Sequence, residues 1–288
     1  MSTDGLVQLQ ALQDPLGGFA SIVTSRSGRE IDCNGFVAAM VLRLLRHLSD
    51  ASPWTDIRHR ALDWLWSCRS TRVPGAFAFW PDQARPIWAS MVPADVDDTA
   101  IMLAELLRYG RLDRPAVLRS VCKAIVPCRV GTGDVTILPP WVVPGSFVTW
   151  IMSDTCASTP RRRSTNVVDC CVNTNVIALM SQLEVQHLPG YADAVQTVLN
   201  GLQWAGDDGR RLTSLTPFYP SLQSLADAME HAIECGADGL SEGLRRLTCV
   251  EPDLLNANAG SCRSAYGRTA WHAPAIDLAR AIARSAAC

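Results

Sequence analysis

Charge is scarce in this sequence, and neither sign is in excess. Of the 288 residues, 19% are charged, and the formal net charge is -2. A chain so close to neutral has no strong electrostatic attraction for nucleic acid or for an anionic membrane surface, so we expect no nucleic-acid partner. No uninterrupted apolar run reaches the roughly 18 residues that a membrane span needs, so we expect no transmembrane segment.

Several common catalytic motifs are also missing. The sequence has no phosphate-binding loop, no glycine-rich dinucleotide fingerprint and no G-x-S-x-G nucleophile elbow. Its first residues, Met1–Asp4, carry neither the basic stretch nor the apolar run of a secretory signal. The 11 cysteines are an odd number, which fits free thiols better than a disulfide framework. These features predict free thiols and a cytoplasmic location.

Hydrophobic periodicity predicts two alternating kinds of helix. Strongly apolar helices, which suit an interior position, alternate with amphipathic ones, and Gly and Pro mark the joints. The alternation is typical of an all-α fold, an α/α barrel (toroid) of inner and outer helices, and we expect a single domain over residues 1–288. The expected inner helices cover residues 35–48, 98–108, 171–183, 221–233 and 273–283, with a sixth short element over 146–152. The expected outer helices cover residues 56–66, 115–126, 192–204 and 239–247.

Three carboxylates lie within four residues at the start of one expected inner helix: Asp95, Asp97 and Asp98. Like charges this close cannot all ionise cheaply, and a dry pocket would add to the cost, so the pKa of at least one should rise. A carboxylic acid that stays protonated at neutral pH can act as a general acid. The structural alternative is that these residues only cap the helix, where Asp is favoured by the helix dipole.

Other polar and aromatic residues are expected near the same end of the inner helices. If these helices run parallel around a barrel, their N-terminal ends open at one face. Polar residues at those starts are Asp32, Asn34, Asp169, Asn173, Asn175, Tyr219 and His272. Aromatic residues in the preceding loops could line a pocket there, because ring faces attract cations and apolar walls exclude water. The candidate substrate-binding residues are Trp80, Trp88, Asn173, Tyr219, Trp271 and His272.

Two sets of residues resemble motifs of one enzyme family. The segment Asp95-Val96-Asp97-Asp98-Thr99-Ala100 looks like the D-x-D-D-T-A signature of class II terpene cyclases, the group of squalene-hopene cyclase and copalyl diphosphate synthase. Gln13, Gly17 and Phe19 resemble the Q-x-x-x-G-x-W/F repeat of that family, which fastens an outer helix to the following loop.

The resemblance implies a reaction and roles for the acids. Asp97 would be the Brønsted acid that protonates an alkene or epoxide of a prenyl-derived substrate, and the chain would then cyclise. Asp95 and Asp98 would be the partners of that acid. The group that orients the acid or removes the final proton would be one of His272, Asn173 and Tyr219.

The resemblance also implies partners and cofactors. The reaction would be of the isomerase or lyase type, in isoprenoid biosynthesis, with a small-molecule isoprenoid as substrate. Protonation needs no metal or other cofactor, and Mg²⁺ is expected only if the substrate carries a diphosphate, which Arg161–Arg163 could grip. Because long prenyl chains partition into lipid, the location could also be peripheral to a membrane. A homo-oligomer could supply the pocket wall that full-length cyclases take from a second barrel.

Two other functions fit the same sequence. A non-catalytic barrel could bind an isoprenoid or an apolar peptide, with the acids serving as helix caps. A zinc enzyme is the other alternative, because Asp169, Cys171 and His272 resemble the Asp, Cys and distant His ligands of protein prenyltransferase β subunits, which are also α/α barrels. Three ligands with an open fourth position would suit catalytic zinc.

Overall fold

The fold is dominated by helices. The computed structural model describes residues 3–131, 138–151, 167–249, 260–265 and 267–287, so the predicted diphosphate grip at Arg161–Arg163 lies outside the described residues. The α-helices of these ranges are α1 (Thr3–Ala11), α2 (Gly35–Leu44), α3 (Trp54–Ser67), α4 (Val96–Arg108), α5 (Arg114–Ser120), α6 (Cys170–Gln182), α7 (Tyr191–Ala205), α8 (Gly209–Ser214), α9 (Leu222–Glu234), α10 (Ser241–Thr248) and α11 (Pro274–Ala287). No helix in these ranges combines the length and the apolarity that crossing a membrane requires.

Burial separates the helices into the two expected kinds. Every residue of α6 from Cys170 to Ser181 is buried, so that helix has no solvent-facing side. In α3, by contrast, the buried residues include Ile57, Ala61, Leu62 and Leu65, which recur at helical spacing on one face. The predicted inner helices α2, α4 and α6 are buried along nearly their whole length, whereas α11, also predicted to be an inner helix, exposes Asp277 and Ala281.

The five apolar helices contact one another in a cyclic order. α2 lies between α11 and α4, α4 also packs on α6, and α6 packs on α9. The order returns from α9 to α11 through an ion pair, in which Arg280 Nη2 lies 3.1 Å from Asp227 Oδ2. The buried side chains of the described residues form one continuous apolar core from Leu6 to Ile282.

Polar side chains fix where the inner helices begin. Asn34 accepts a hydrogen bond from the backbone N–H of Val37 (3.0 Å) at the start of α2. Asp95, Asp169 and Ser221 cap α4, α6 and α9 in the same way. Asn, Asp and Ser are favoured at these positions because their oxygens satisfy N–H groups that have no partner within the helix. The predicted starts of these helices are therefore within two residues of the observed ones.

A small antiparallel sheet departs from the all-α expectation. Its strands are β1 (Phe19–Ser25), β2 (Gly28–Asn34), β3 (Cys262–Arg263) and β4 (Ala270–His272), in the order β2-β1-β4-β3. β1 buries alternate residues more deeply up to Val23, which is the period of a half-buried strand. Val23 pairs with Trp271, so the sheet joins the beginning of the chain to the segment before α11.

The short inner element expected over residues 146–152 is also different in the structure. Its described part, residues 146–151, is extended, and Phe147 and Trp150 form single bridges with Arg129 and Asp95. The run Phe147-Val148-Thr149-Trp150 consists of aromatic and β-branched residues, which favour extended backbone over helix. The bridge places Trp150 beside the acidic motif.

The Gln13, Gly17 and Phe19 pattern does fasten an outer helix to a loop. Gln13 Nε2 donates to the backbone oxygens of Gly17 (3.0 Å) and of Ile57 in α3 (2.9 Å). Gly17 has a φ of 101°, and an added Cβ would collide with the backbone of Arg60. Phe19 is fully buried beneath this contact.

Candidate functional site

A cavity of about 440 Å³ opens beside the first turn of α4. This volume falls within the range of small-molecule sites, roughly 300–1,000 Å³. Asp95, Asp97 and Asp98 all contribute to its lining. The rest of the wall is mainly aromatic and includes Phe36, Phe79, Trp80, Trp88, Trp150, Phe218, Tyr219 and Trp271. The acidic motif and most of the predicted aromatic residues therefore meet in one place.

Asp97 is held by hydrogen bonds from two other segments of the chain. Its Oδ1 accepts from Asn175 Nδ2 in α6 (2.7 Å), and its Oδ2 accepts from the hydroxyl of Tyr219, just before α9. The side chain is only 8% exposed. Burial raises the pKa of Asp97 above its ordinary value, while the hydrogen bonds from Tyr219 and Asn175 and the charge of Arg43 act in the opposite direction.

This arrangement can hold a proton and can also release it to a substrate. Burial disfavours the carboxylate, so Asp97 keeps its proton at pH values where an exposed aspartate would have lost it. Once the proton leaves, both carboxylate oxygens already have a hydrogen-bond donor, which stabilises the anion. These are the two requirements of a general acid in an apolar pocket.

The two neighbouring acids differ in their hydrogen bonds. Asp95 caps α4, with its Oδ1 accepting from Asp98 N (2.7 Å), and burial raises its pKa to about 7. Asp98 is 2% exposed, and its Oδ2 finds no hydrogen-bond partner among the described residues. Burial, followed by the charge of Asp95, raises the pKa of Asp98 well above its usual range. Burial therefore favours the protonated form of Asp98 beside Asp97.

We expect Asp95→Asn to weaken the pH dependence of stability. Because the pKa of Asp95 is raised by folding from about 3.9 to about 7, its contribution to stability is complete below about pH 4 and is lost as the pH rises to about 7. Asparagine is an equally good N-cap but does not titrate. Denaturant unfolding across this range should give a shallower fall in unfolding free energy than in the wild type. Asp56→Asn, at an exposed first-turn position of α3, is the matched control, and equal slopes for Asp95→Asn and wild type would contradict the prediction.

Arg43 fixes the orientation of the amide that contacts Asp97. It lies within α2, is 3% exposed, and donates from Nη1 to Asn175 Oδ1 (2.7 Å). Because Arg can only donate, the oxygen of Asn175 faces Arg43 and its NH₂ group faces Asp97. Arg43 Nε lies 3.9 Å from Oε1 of the fully buried Glu105. Asn175 thus connects Asp97 to a buried ion pair.

From the sequence, Asn175 is expected near the site but not among the substrate-binding residues, and Arg43 is not expected there at all. An arginine within the otherwise apolar helix over residues 35–44 was the available signal, because a buried arginine needs a partner. The partners themselves, Asn175 and Glu105, are too distant in the chain to be found by spacing.

Trp80, Trp88, Trp271 and Tyr219 lie in the cavity wall, but Asn173 does not. Asn173 is fully buried and bonds to both the N–H and the C=O of Phe147 (2.9 Å each), so it holds the extended segment against α6. Side chains two positions apart on a helix point about 200° apart. Since Asn175 faces Asp97, Asn173 must face away.

His272 is also outside the cavity wall. Its side chain is 45% exposed, and its Nε2 lies 3.7 Å from Asp277 Oδ2. It borders a second, more polar cavity between α9 and α11. Successive strand residues point to opposite faces, so the placement of Trp271 in the aromatic wall turns His272 away from Asp97. His272 therefore contacts neither the acid nor the space in front of it.

The three residues of the zinc alternative do not form a site. Asp169 uses both oxygens for backbone N–H groups, of Cys171 (2.7 Å) and of Phe218 (3.0 Å). His272 faces the other cavity. In the parts of the chain that the structure describes, no group of three or more His, Cys, Asp or Glu side chains is placed to share a metal ion.

Comparison with known proteins gives distant structural matches. No protein-family model matches the chain, and no curated protein matches it. A crystal structure of a protein from Actinoplanes matches with 15% identity and a TM-score of 0.46, over 99% of this chain and 98% of that one. The apo structure of the type II terpene cyclase MstE from Scytonema matches with 12% identity and a TM-score of 0.48, over 98% and 96% of the two chains. A variant of MstE in complex with its substrate, geranylgeranyl dihydroxybenzoate, matches with 12% identity and a TM-score of 0.46, over 98% and 94%. Similarity at these values assigns neither a reaction nor a substrate to this chain.

Proposed function

We propose that this chain is a terpene cyclase of the class II type, an α/α barrel in one domain whose cavity accepts a prenyl-derived substrate. Asp97 donates a proton to an alkene or epoxide of that substrate, and cyclisation follows. The observation that carries this proposal is the position of Asp97, a buried carboxyl group with a raised pKa that borders an aromatic cavity. The D-x-D-D-T-A segment, residues 95–100, gives it independent support.

The first step forms one C–H bond and breaks one O–H bond. The π electrons of a terminal alkene take the proton of Asp97, which leaves a tertiary carbocation and the carboxylate of Asp97. Asn175 and Tyr219 stabilise that carboxylate through the hydrogen bonds that they already make. The next double bond attacks the cation and closes a ring. Solvent at the cavity opening takes a proton from the last cation, and the carboxylate of Asp97 regains a proton from solvent. The neutral product is therefore an isomer of the substrate.

The cavity wall protects the intermediate cations. Aromatic faces attract positive charge, and apolar walls keep water from capturing it. Trp80, Trp88, Trp271 and Tyr219 are the predicted substrate-binding residues that the structure brings to this wall. Burial raises the pKa of Asp98 well above its usual range, which disfavours a second negative charge beside Asp97. The proton comes from Asp97 itself, so this step uses no cofactor, and Mg²⁺ would enter only with a diphosphate substrate.

The contacts of Asp97 favour catalysis over a purely structural role for the acids. Asp95 and Asp169 cap helices, as a non-catalytic barrel would require. Asp97 is different, because its oxygens accept from side chains of other segments, Asn175 and Tyr219, and not from the N-terminal N–H groups of α4. A helix cap needs no such contacts. Its surroundings therefore suit a carboxyl group that loses a proton during a reaction.

Deuterium incorporation tests the proposed reaction. The full chain is incubated in H₂O and in D₂O with a panel of farnesyl and geranylgeranyl compounds, with and without a diphosphate, and with squalene-like polyenes. We expect a cyclic isomer of one substrate that carries one deuterium from D₂O at the carbon that received the proton. Cyclisation without deuterium, or with loss of diphosphate in the first step, would contradict protonation by the enzyme. Tight binding without product across the panel would favour the non-catalytic barrel.

A further inference from the structure

A second buried acid, Asp32, lies behind the aromatic wall of the cavity. It belongs to β2 and is 8% exposed. Its Oδ2 accepts hydrogen bonds from two indoles, Trp80 Nε1 (2.8 Å) and Trp271 Nε1 (3.0 Å). Its Oδ1 accepts from Asn34 Nδ2 (3.1 Å) and from the hydroxyl of Ser21. Asp32 itself is not part of the cavity lining.

The hydrogen bonds of Asp32 stabilise its carboxylate form. Indole nitrogens and amide NH₂ groups can only donate, so each of these contacts uses a lone pair of a carboxyl oxygen. Both oxygens of Asp32 receive such donors, and charge-assisted hydrogen bonds of this kind stabilise the anion. This is the reverse of Asp98, which has an oxygen without any hydrogen-bond partner among the described residues.

The indoles that Asp32 holds belong to a compact tryptophan cluster, defined here as Trp80, Trp88 and Trp271. The ring centroids lie 5.6 Å apart for Trp80 and Trp88, 6.3 Å for Trp88 and Trp271, and 6.4 Å for Trp80 and Trp271. Trp88 Nε1 donates to a further carboxylate, Glu30 Oε2 (3.0 Å). All three indole N–H groups are therefore directed at acids, while the rings line the cavity.

An anion at the N–H edge increases the attraction of these rings for positive charge. The hydrogen bond polarises the indole, and the full negative charge of Asp32 adds a direct Coulomb attraction across a poorly screened interior. Trp is already the best aromatic side chain for cation–π contact. Arg263 is a cationic side chain of the cavity wall, but its guanidinium donates to the backbone oxygens of Pro217 (3.0 Å) and Thr216 (3.3 Å).

We infer that the tryptophan cluster, with Asp32 behind it, is a subsite for positive charge, and that it receives the cation formed late in the reaction. This inference rests on the proposed function and extends it by assigning different roles to two parts of the cavity. A proton leaves Asp97 at one end, and the charge that it creates is drawn towards the hydrogen-bonded carboxyl group of Asp32 at the other. Asp32 acts as a positioning residue, because it touches the rings and not the substrate. The subsite would also take a stable cation of the same class, an alkyl ammonium ion on a prenyl chain.

Binding of a matched pair of unreactive probes tests this subsite without any turnover. One probe is a farnesyl chain that ends in a trimethylammonium group, and the other is its neutral isostere, with a tert-butyl group in the same place. Calorimetry of the full chain should show tighter binding of the cation than of the isostere. In Asp32→Asn, whose amide oxygen can still accept from the indoles, we expect that preference to fall by about tenfold or more.

Two further variants separate the charge of Asp32 from other causes. Asp97→Asn should keep the preference for the cation, and so should Asp277→Asn, which changes an exposed acid outside the cavity. If Asp32→Asn does not fold, Trp271→Phe serves instead, because Phe keeps an apolar wall but binds cations less well and has no N–H for Asp32. It should lower the preference as well.

The outcomes distinguish this inference from the proposed function. Loss of the preference in Asp32→Asn or Trp271→Phe, with retention in Asp97→Asn, supports the subsite even if no cyclisation is ever found. An unchanged preference in Asp32→Asn, a loss only in Asp97→Asn, or no preference in the wild type would overturn it. None of these results depends on whether Asp97 donates a proton.

Discussion

Asp97→Asn is expected to lower turnover by about 10⁴-fold, the upper end of what a positioned general acid contributes. The reason is that the proton starts the reaction, and an amide cannot supply it. The substitution is close in shape, and the amide oxygen can still accept from Asn175 while the Tyr219 hydroxyl rotates to accept from the new NH₂ group. The fold should therefore survive, which a thermal melt and near-ultraviolet circular dichroism would check.

His272→Ala is the matched control for this experiment. His272 was a candidate from the sequence, but its side chain is half exposed and faces another cavity. We expect this variant to turn over the substrate at the wild-type rate. Undiminished turnover in a folded Asp97→Asn protein would contradict the role of Asp97 as the proton donor. An equal loss of turnover in His272→Ala would contradict the placement of the reaction in the cavity beside Asp97, because His272 faces the other cavity.

Arg43→Met is expected to have the largest effect on stability and a separate effect on activity. Removal of the guanidinium leaves the carboxylate of Glu105 fully buried, with Arg108 as its remaining cation at 3.4 Å. Breaking a buried ion pair from one side costs up to about 3–5 kcal/mol of unfolding free energy. Arg108, which lies closer to Glu105 than Arg43 does, should offset part of that cost. Activity should fall as well, because the amide of Asn175 loses the donor that keeps its NH₂ group turned towards Asp97.

A second substitution separates these two effects. Replacing a whole buried ion pair by apolar residues is often neutral for stability, so Arg43→Met combined with Glu105→Met should recover most of the lost unfolding free energy. It should not recover turnover, because Asn175 is still not held. Any residual activity should extend to higher pH than in the wild type, since the charge of Arg43 lowers the pKa of Asp97 and its removal lets that pKa rise. Full recovery of turnover in the double variant would contradict the positioning role of Arg43.

The parts of the fold that the sequence predicts are those set by local chemistry. Helix starts at Asp95 and Asp169 follow from side chains that bond to N–H groups within the next three residues. Part of the sheet is beyond local patterns, because β1 pairs with β4, about 250 residues away. The other part, the hairpin of β1 and β2, is local, and the strand period of β1 was its available signal. The short strands near residue 262 and residue 271 are also weak signals by length alone.

The errors in the predicted site concern the direction in which side chains of a helix or a strand point. Asn173 and Asn175 are both polar residues in the first turns of α6, and only the rotation of the helix decides that Asn175 faces Asp97. Trp271 and His272 are neighbours on a strand that the sequence analysis did not predict, so their opposite directions could not be anticipated. The hydrogen bonds of Asp32 to two indoles need the same sheet.

The titration of Asp97 tests the central claim most directly, and it needs no substrate. Difference infrared spectra between the wild type and Asp97→Asn, recorded from about pH 3 to pH 9, isolate the carboxyl group of Asp97. We predict a carbonyl band of a protonated acid that converts to carboxylate with a midpoint above 3.8, the ordinary value. A midpoint at or below that value would mean that the carboxyl group ionises as an exposed aspartate does, and it would contradict the assignment of Asp97 as the proton donor.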